Sequence, residues 1–171
     1  LLLNVTGNVT QAAPGTIAAG GLGLMVGGTT LLDLGNDVAR LAADTEGVIG
    51  YNDINDVTVG EVTFEQLSVN SVTLPITSVT EAAMTVTGIT TTDDDLLINA
   101  DGSLAINESI DTGGPTGAGD VRLMADGNVT QTAAGTILTR QLGIRQQAGA
   151  GTITLTADND VDVFAAATAA T

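Results

Sequence analysis

No cysteine, histidine, lysine or tryptophan occurs in this chain, and each absence closes a class of chemistry. Without cysteine there is neither a disulfide nor a thiolate nucleophile. Without histidine or lysine there is no Ser-His-Asp or Cys-His arrangement, no phosphate-loop lysine and no Schiff base. Zinc would lack its preferred nitrogen and sulfur ligands. No apolar run approaches the roughly 18 residues of a transmembrane helix, and no basic segment followed by an apolar stretch marks a signal peptide. What survives is carboxylate chemistry and oxygen-ligand cation binding.

Aromatic residues are almost as scarce. Tyr51, Phe64 and Phe164 are the whole set among 171 residues, so burial must come from Val, Ile, Leu, Ala and Thr methyls. A slender core of many similar small side chains suits stacked layers better than a globular jigsaw. Positive charge is limited to Arg40, Arg122, Arg140 and Arg145 against 20 acidic residues, a formal net charge of −16. Nucleic acid and anionic membrane surfaces would be repelled, so neither is expected as a partner. Most of the acids are Asp, a turn former, and their plain reading is a solvated coat; divalent-cation binding or a saline habitat is the sharper one. The 22 glycines and 3 prolines, with no collagen period, point to many tight turns.

What is present is said twice. Gly7-Asn8-Val9-Thr10-Gln11 returns as Gly127-Asn128-Val129-Thr130-Gln131, Gly15-Thr16-Ile17 as Gly135-Thr136-Ile137, and Leu22-Gly23-Leu24 as Leu142-Gly143-Ile144. These matches lie 120 residues apart, and Asn36-Asp37-Val38 meets Asn159-Asp160-Val161 at 123. Such self-similarity is the signature of a stacked array. The chain therefore reads as one β-helix segment over 1–171, with a repeat unit of about 1–120 and a second starting at 121. Leu1-Leu2-Leu3 already falls in register with Val121-Arg122-Leu123, so an excerpt of a longer repetitive protein is expected.

A shorter grammar lies inside the unit. Leu96, Ile98, Ala100, Asp101-Gly102 and Leu104 alternate apolar and polar, turn, and begin again. Val121, Leu123, Ala125, Asp126-Gly127 and Val129 do the same, as do Ile153, Leu155, Ala157, Asp158-Asn159 and Val161. Period two marks a strand with one buried face. Val57-Thr58-Val59, Val62-Thr63-Phe64, Leu67-Ser68-Val69, Val72-Thr73-Leu74 and Met84-Thr85-Val86 continue the pattern, while helical periodicity is weak; Val38 to Ala43 reads as strand and turn. An antiparallel sandwich would space its turns similarly. The copies beginning at 96, 121 and 153 suit whole coils, which favours a parallel β-helix with Leu stacked on Leu and Asn on Asn.

The run Val121-Arg122-Leu123-Met124-Ala125-Asp126-Gly127-Asn128-Val129-Thr130-Gln131, followed by Gly135-Thr136-Ile137 and Leu142-Gly143-Ile144, resembles the repeats of filamentous-haemagglutinin-type proteins, and autotransporter passengers share the grammar. The resemblance covers most of 1–38 and 121–163. It implies an all-β, right-handed parallel β-helix (β-solenoid), export to the cell surface, and a role as an adhesin or its shaft.

Chemistry-bearing clusters are few. Asp93, Asp94 and Asp95 form the densest acidic group and the weak calcium candidates, although a turn is needed for three consecutive Asp to converge on one ion. Asn52-Asp53 and Asn55-Asp56 read as side-chain-capped turns, and 113–120 as a loop between coils. Gly20-Gly21-Leu22-Gly23-Leu24-Met25-Val26 begins like a dinucleotide fingerprint but has no βαβ context. Asn4, Asn8, Asn107 and Asn128 head formal glycan-acceptor triplets, and the repeat-equivalent Asn8 and Asn128 equally suit stacked structural asparagines.

The expected function is accordingly a non-enzymatic structural repeat of an extracellular bacterial fibre or adhesin stalk. Its expected partners are neighbouring repeats or subunits, end to end, because uncapped coils expose strand edges; a cell-surface glycan is a second candidate. No cofactor is expected beyond the calcium just named. The alternative is a carbohydrate-binding or carbohydrate-active β-helix, which would need two carboxylates about 5–10 Å apart and aromatic platforms for sugar rings.

Overall fold

Alternating small aliphatics with frequent Gly and Asx turns make short strands that cannot bury their faces within one coil, so each coil leans on the next. The computed structural model describes residues 1–65, 67–70, 77–80, 83–149 and 151–169. Among them there is no helix, and the chain winds as a parallel β-solenoid of seven coils with three faces.

The first face stacks Leu2–Val5, Leu22–Val26, Arg40–Thr45, Ile89–Thr91 and Ile110–Asp111, then the opening residues of Ile137–Gln146 and of Asp160–Ala167. The second stacks Val9–Thr10, the start of Thr30–Val38, Ile49–Asp53, Leu96–Ala100, Asp120–Ala125, and the ends of Ile137–Gln146 and Asp160–Ala167. The third runs from Ala18–Ala19 and the end of Thr30–Val38, continued by Arg40 and Leu41, through Val57–Val59, Leu104–Ile106 and Val129–Gln131 to Ile153–Thr154. Six steps of about 4.8 Å give a rod roughly 29 Å long.

Inward side chains form ladders along the rod. Leu3, Leu24, Ala43, Ile89, Ile110 and Ile137 make one. Leu32, Tyr51, Ile98, Leu123 and Ile144 make another. Nearly all of these residues are fully buried, and each full burial of a Leu or Ile side chain contributes about 1.5–3 kcal/mol. Val38 to Ala43 is strand with a single break at Ala39, as the alternation suggests.

Two expectations need correction. The copies beginning at 96 and 121 do stack, Leu96 on Val121 and Ala100 on Ala125. The copy at 153 does not join that column: Ile153 pairs with Val129 on the third face. Its spacing from 121 is one coil and one face. The long repeat shows the same offset. Val9 lies on the second face of the first coil, whereas Val129 lies on the third face of the fifth, four coils and one face later. Residues equivalent across the 120-residue repeat therefore do not pile on one another; an Asn stack forms instead where Asn52 lies beneath Asn99, whose Nδ2 donates to Asn52 Oδ1 at 2.6 Å.

The second correction concerns the middle of the chain. Glu61–Phe64 and Met84–Thr87 are not coil strands but an antiparallel ribbon, Phe64 opposite Met84, laid outside the first face. Leu67–Asn70 and Thr77–Thr80 are likewise antiparallel to each other. The segment Val72-Thr73-Leu74 lies outside the described residues.

Candidate functional site

The duplicated motif builds the same polar corner twice. Gln11 Nε2 donates to Asn36 Oδ1 at 2.6 Å and to the Gly15 carbonyl at 3.0 Å. Asn36 Oδ1 also accepts the Ile17 amide at 2.9 Å, and Gln11 Oε1 accepts the Leu34 amide at 3.1 Å. In the second unit Gln131 Nε2 donates to Asn159 Oδ1 at 2.6 Å and to the Gly135 carbonyl. The Ile137 amide reaches Asn159 Oδ1 at 2.9 Å, and the Thr156 amide reaches Gln131 Oε1 at 3.1 Å. Where the chain turns off the ladder its backbone groups still need partners, and Gln and Asn supply them across two coils.

The formal glycan acceptors fall on the surface. Asn4, Asn8, Asn107 and Asn128 are all exposed. Two of them are engaged: Asn8 Oδ1 accepts the Thr29 amide at 3.0 Å, and Asn128 Oδ1 accepts the Thr152 amide at 2.9 Å. Both therefore tie one coil to the next, the architectural role their equivalence suggests.

The structure scatters Asp93, Asp94 and Asp95 over different tasks. Asp93 is exposed, with a left-handed φ of 59°. Asp94 is half-buried, and its carbonyl accepts the Thr91 hydroxyl at 2.6 Å. Asp95 Oδ1 accepts the Asp120 amide at 2.9 Å, one coil away. Among the described residues no three acidic side chains gather where an ion could sit. The loop before Asp120 turns on Gly113 and Gly114, at φ of 92° and 66°, a region that favours glycine. Gly20 to Val26 contributes a strand, Leu22–Val26, and no helix follows it.

One buried polar group escaped the sequence reading. Asp53, read as part of a side-chain-capped turn, does cap its own backbone, and it is also fully buried. Its Oδ2 accepts the Tyr51 hydroxyl at 2.5 Å and the Val38 amide at 2.9 Å, while Oδ1 accepts the Asn55 amide at 2.9 Å. Burial, and then the bond to the Asp53 carboxylate, push the Tyr51 phenol far above its ordinary ionisation range. A carboxylate so saturated with donors holds the corner and presents nothing to a substrate. The only hint in the sequence was Tyr51 two residues before Asp53, which places both on one face of a strand.

The outer surface offers a second kind of site. Over the first face, Val62 and Val86 of the ribbon bury the outward-facing Ala42, with Leu2, Met25 and Phe64 packed around them. On the second face, across coils five to seven, nothing among the described residues covers the outward surface. There Arg122, Met124, Gly143, Arg145, Val163 and Ala165 line a groove of about 340 Å³. Arg122 and Arg145 are exposed, in a chain whose net charge is −16. Nothing in the alternation marks this groove, because outward positions of a strand read as surface whether or not something covers them.

Comparison with protein-family models, with curated proteins and with solved structures returned no match. The fold rests on the ladder itself.

Proposed function

We propose that the chain is a shaft segment of an extracellular bacterial fibre or adhesin stalk, non-enzymatic, continued end to end by further coils of the same kind. The observation that carries this reading is a parallel ladder running through seven coils, the last of which leaves the inward Phe164 open at 54% exposure. Strand edges of this kind recruit further strands. The polar side chains support the same reading. Gln11, Asn36, Gln131, Asn159 and Asp53 are consumed in holding coil to coil, and the exposed Asp-rich turns form a charged coat that keeps rods from adhering side by side. The resemblance to filamentous-haemagglutinin repeats points the same way.

Sedimentation velocity and negative-stain electron microscopy over a rising concentration series test the assembly. The expected result is linear particles lengthening in steps of roughly 29 Å, one rod per subunit. A strictly monomeric chain at the highest concentration would overturn the end-to-end half of the proposal. Polysaccharide turnover abolished by Asp93→Asn would replace the non-enzymatic half with a carbohydrate-active one.

A further inference from the structure

The two repeat units carry the same outer trough, and among the described residues only one is filled. Leu2, Gly23 and Ala42 lie in a row across the first three coils. Their repeat equivalents Arg122, Gly143 and Ala165 lie in a row across the last three. Both rows face outward at the centre of paired parallel strands. Glycine in a strand interior is unfavourable by about 0.5–1 kcal/mol, and where it persists it marks the close approach of another group.

At Gly23 that group is visible. A Cβ there would meet ring carbons of Phe64 at 2.5 Å, because the ribbon presses its aromatic ring onto the bare backbone. At Gly143 a Cβ would meet nothing nearer than the Val121 carbonyl at 4.0 Å, and the groove of about 340 Å³ stands over it. The flanking residues differ in a directed way. Leu2 and Met25, which pack beside Phe64 in the first trough, are replaced at the equivalent positions by Arg122 and Arg145. In the ribbon strand that fills the first trough, Val62 and Phe64 face the solenoid, while Glu61, Thr63 and Glu65 alternate to the exposed side.

We propose that the second trough is a docking site for an extended β-ribbon of a partner polypeptide. The partner lays an aromatic ring on Gly143 and directs carboxylates to Arg122 and Arg145. Shape selects the ring, since only a side-chain-free floor admits it. The paired arginines select an acidic strand and would repel a basic one. Recognition of this type packs a ribbon face to face on the sheet, as Val62 and Phe64 do over the first trough.

A synthetic peptide of residues 60–88 carrying Val62→Glu, which sets a carboxylate on the same face as Phe64, is the probe, titrated into the whole 171-residue chain, whose own ribbon already fills the first trough. The expected result is one-to-one binding, weakened at least about tenfold by Gly143→Leu in the protein or by Phe64→Ala in the peptide, the scale of one lost anchor. The exposed pair Arg122→Glu with Arg145→Glu should weaken it similarly, and serves alone if Gly143→Leu disturbs folding. No binding, or binding indifferent to both protein variants, would overturn the proposal. Self-association of the peptide-free chain that Gly143→Leu abolishes would make a second copy the occupant and overturn the assignment to a separate polypeptide.

Discussion

Gln11 and Asn36 grip each other across adjacent coils, Gln11 Nε2 donating at 2.6 Å and Asn36 Nδ2 returning a bond to Gln11 Oε1 at 3.3 Å. Asn36 is fully buried and also donates to the carbonyls of Leu34 and Asn52, at 2.8 and 3.0 Å. Truncating it strands several groups that water cannot reach. Asn36→Ala should therefore cost roughly 3 kcal/mol, as expected when buried donors and acceptors lose their partners. Asn159→Ala breaks the same contact to Gln131 where the corner is only half-buried, so it should cost clearly less. Urea unfolding midpoints at unchanged m-value measure both, and equal losses would contradict the burial argument.

Thr30 offers the opposite case. Its side chain takes a place in the inward ladder between Val9 and Ile49, and its hydroxyl is buried without a partner among the described residues. Thr30→Val keeps the shape and removes the unpaired group. A gain of about 1 kcal/mol is expected, read as a raised melting temperature. A loss would mean that the hydroxyl has found a partner.

Tyr51 makes alkaline stability legible. It is the chain's single tyrosine, and no lysine or cysteine titrates beside it. Its phenol is raised in the fold, so the unfolded chain releases this proton first and stability is intact below about pH 10 and lost above it. The expected slope is about −1.4 kcal/mol per pH unit beyond the ordinary tyrosine range. Absorbance at the tyrosinate band should stay flat until circular dichroism reports unfolding. Tyrosinate forming in the folded state would refute the buried Tyr51–Asp53 bond.

Gly23 and Gly143 should respond differently to the same methyl group. Gly23→Ala drives a Cβ into the Phe64 ring and should cost about 1–3 kcal/mol, as overpacking does. Gly143→Ala meets open space and should fall within about 0.5 kcal/mol of the parent or gain slightly. Thermal melts of the two variants side by side decide it.

Calcium should leave the fold indifferent, because Asp93, Asp94 and Asp95 spread over separate contacts and do not converge. Melting temperatures with added calcium and with a chelator are expected to agree. A rise of several degrees on adding the ion, the signature of a ligand bound only by the native state, would place one in that turn.

Much of this was legible in the chain. The spacing of Leu96, Ile98 and Ala100 against Val121, Leu123 and Ala125 showed both the strands and their stacking. The equivalence of Asn8 and Asn128 suited structural asparagines, and each ties its coil to the next. Asn52-Asp53 is the side-chain-capped turn its residues suggest, with Asp53 Oδ1 accepting the Asn55 amide; its burial was not legible, because Asn55-Asp56 looks alike locally and only the packing of Val38 over Asp53 distinguishes a buried cap from a solvated one. The ribbon was misread for a similar reason. Val62-Thr63-Phe64 alternates just as Val57-Thr58-Val59 does, and alternation carries no sign of strand direction.

The sequence by itself determined a layered all-β chain: side chains too small for a globular core, period two throughout, tight turns, and one corner written twice. Which face each copy occupies was decided only by the tertiary structure. The step between stacked positions is 21 residues from Leu3 to Leu24, 19 from Leu24 to Ala43 and 27 from Ile110 to Ile137. No local interaction counts residues around a coil. The count is settled when a strand finds its ladder partner one full turn away, and that pairing turned a 120-residue repeat into four coils and a face, leaving one trough filled and its twin open.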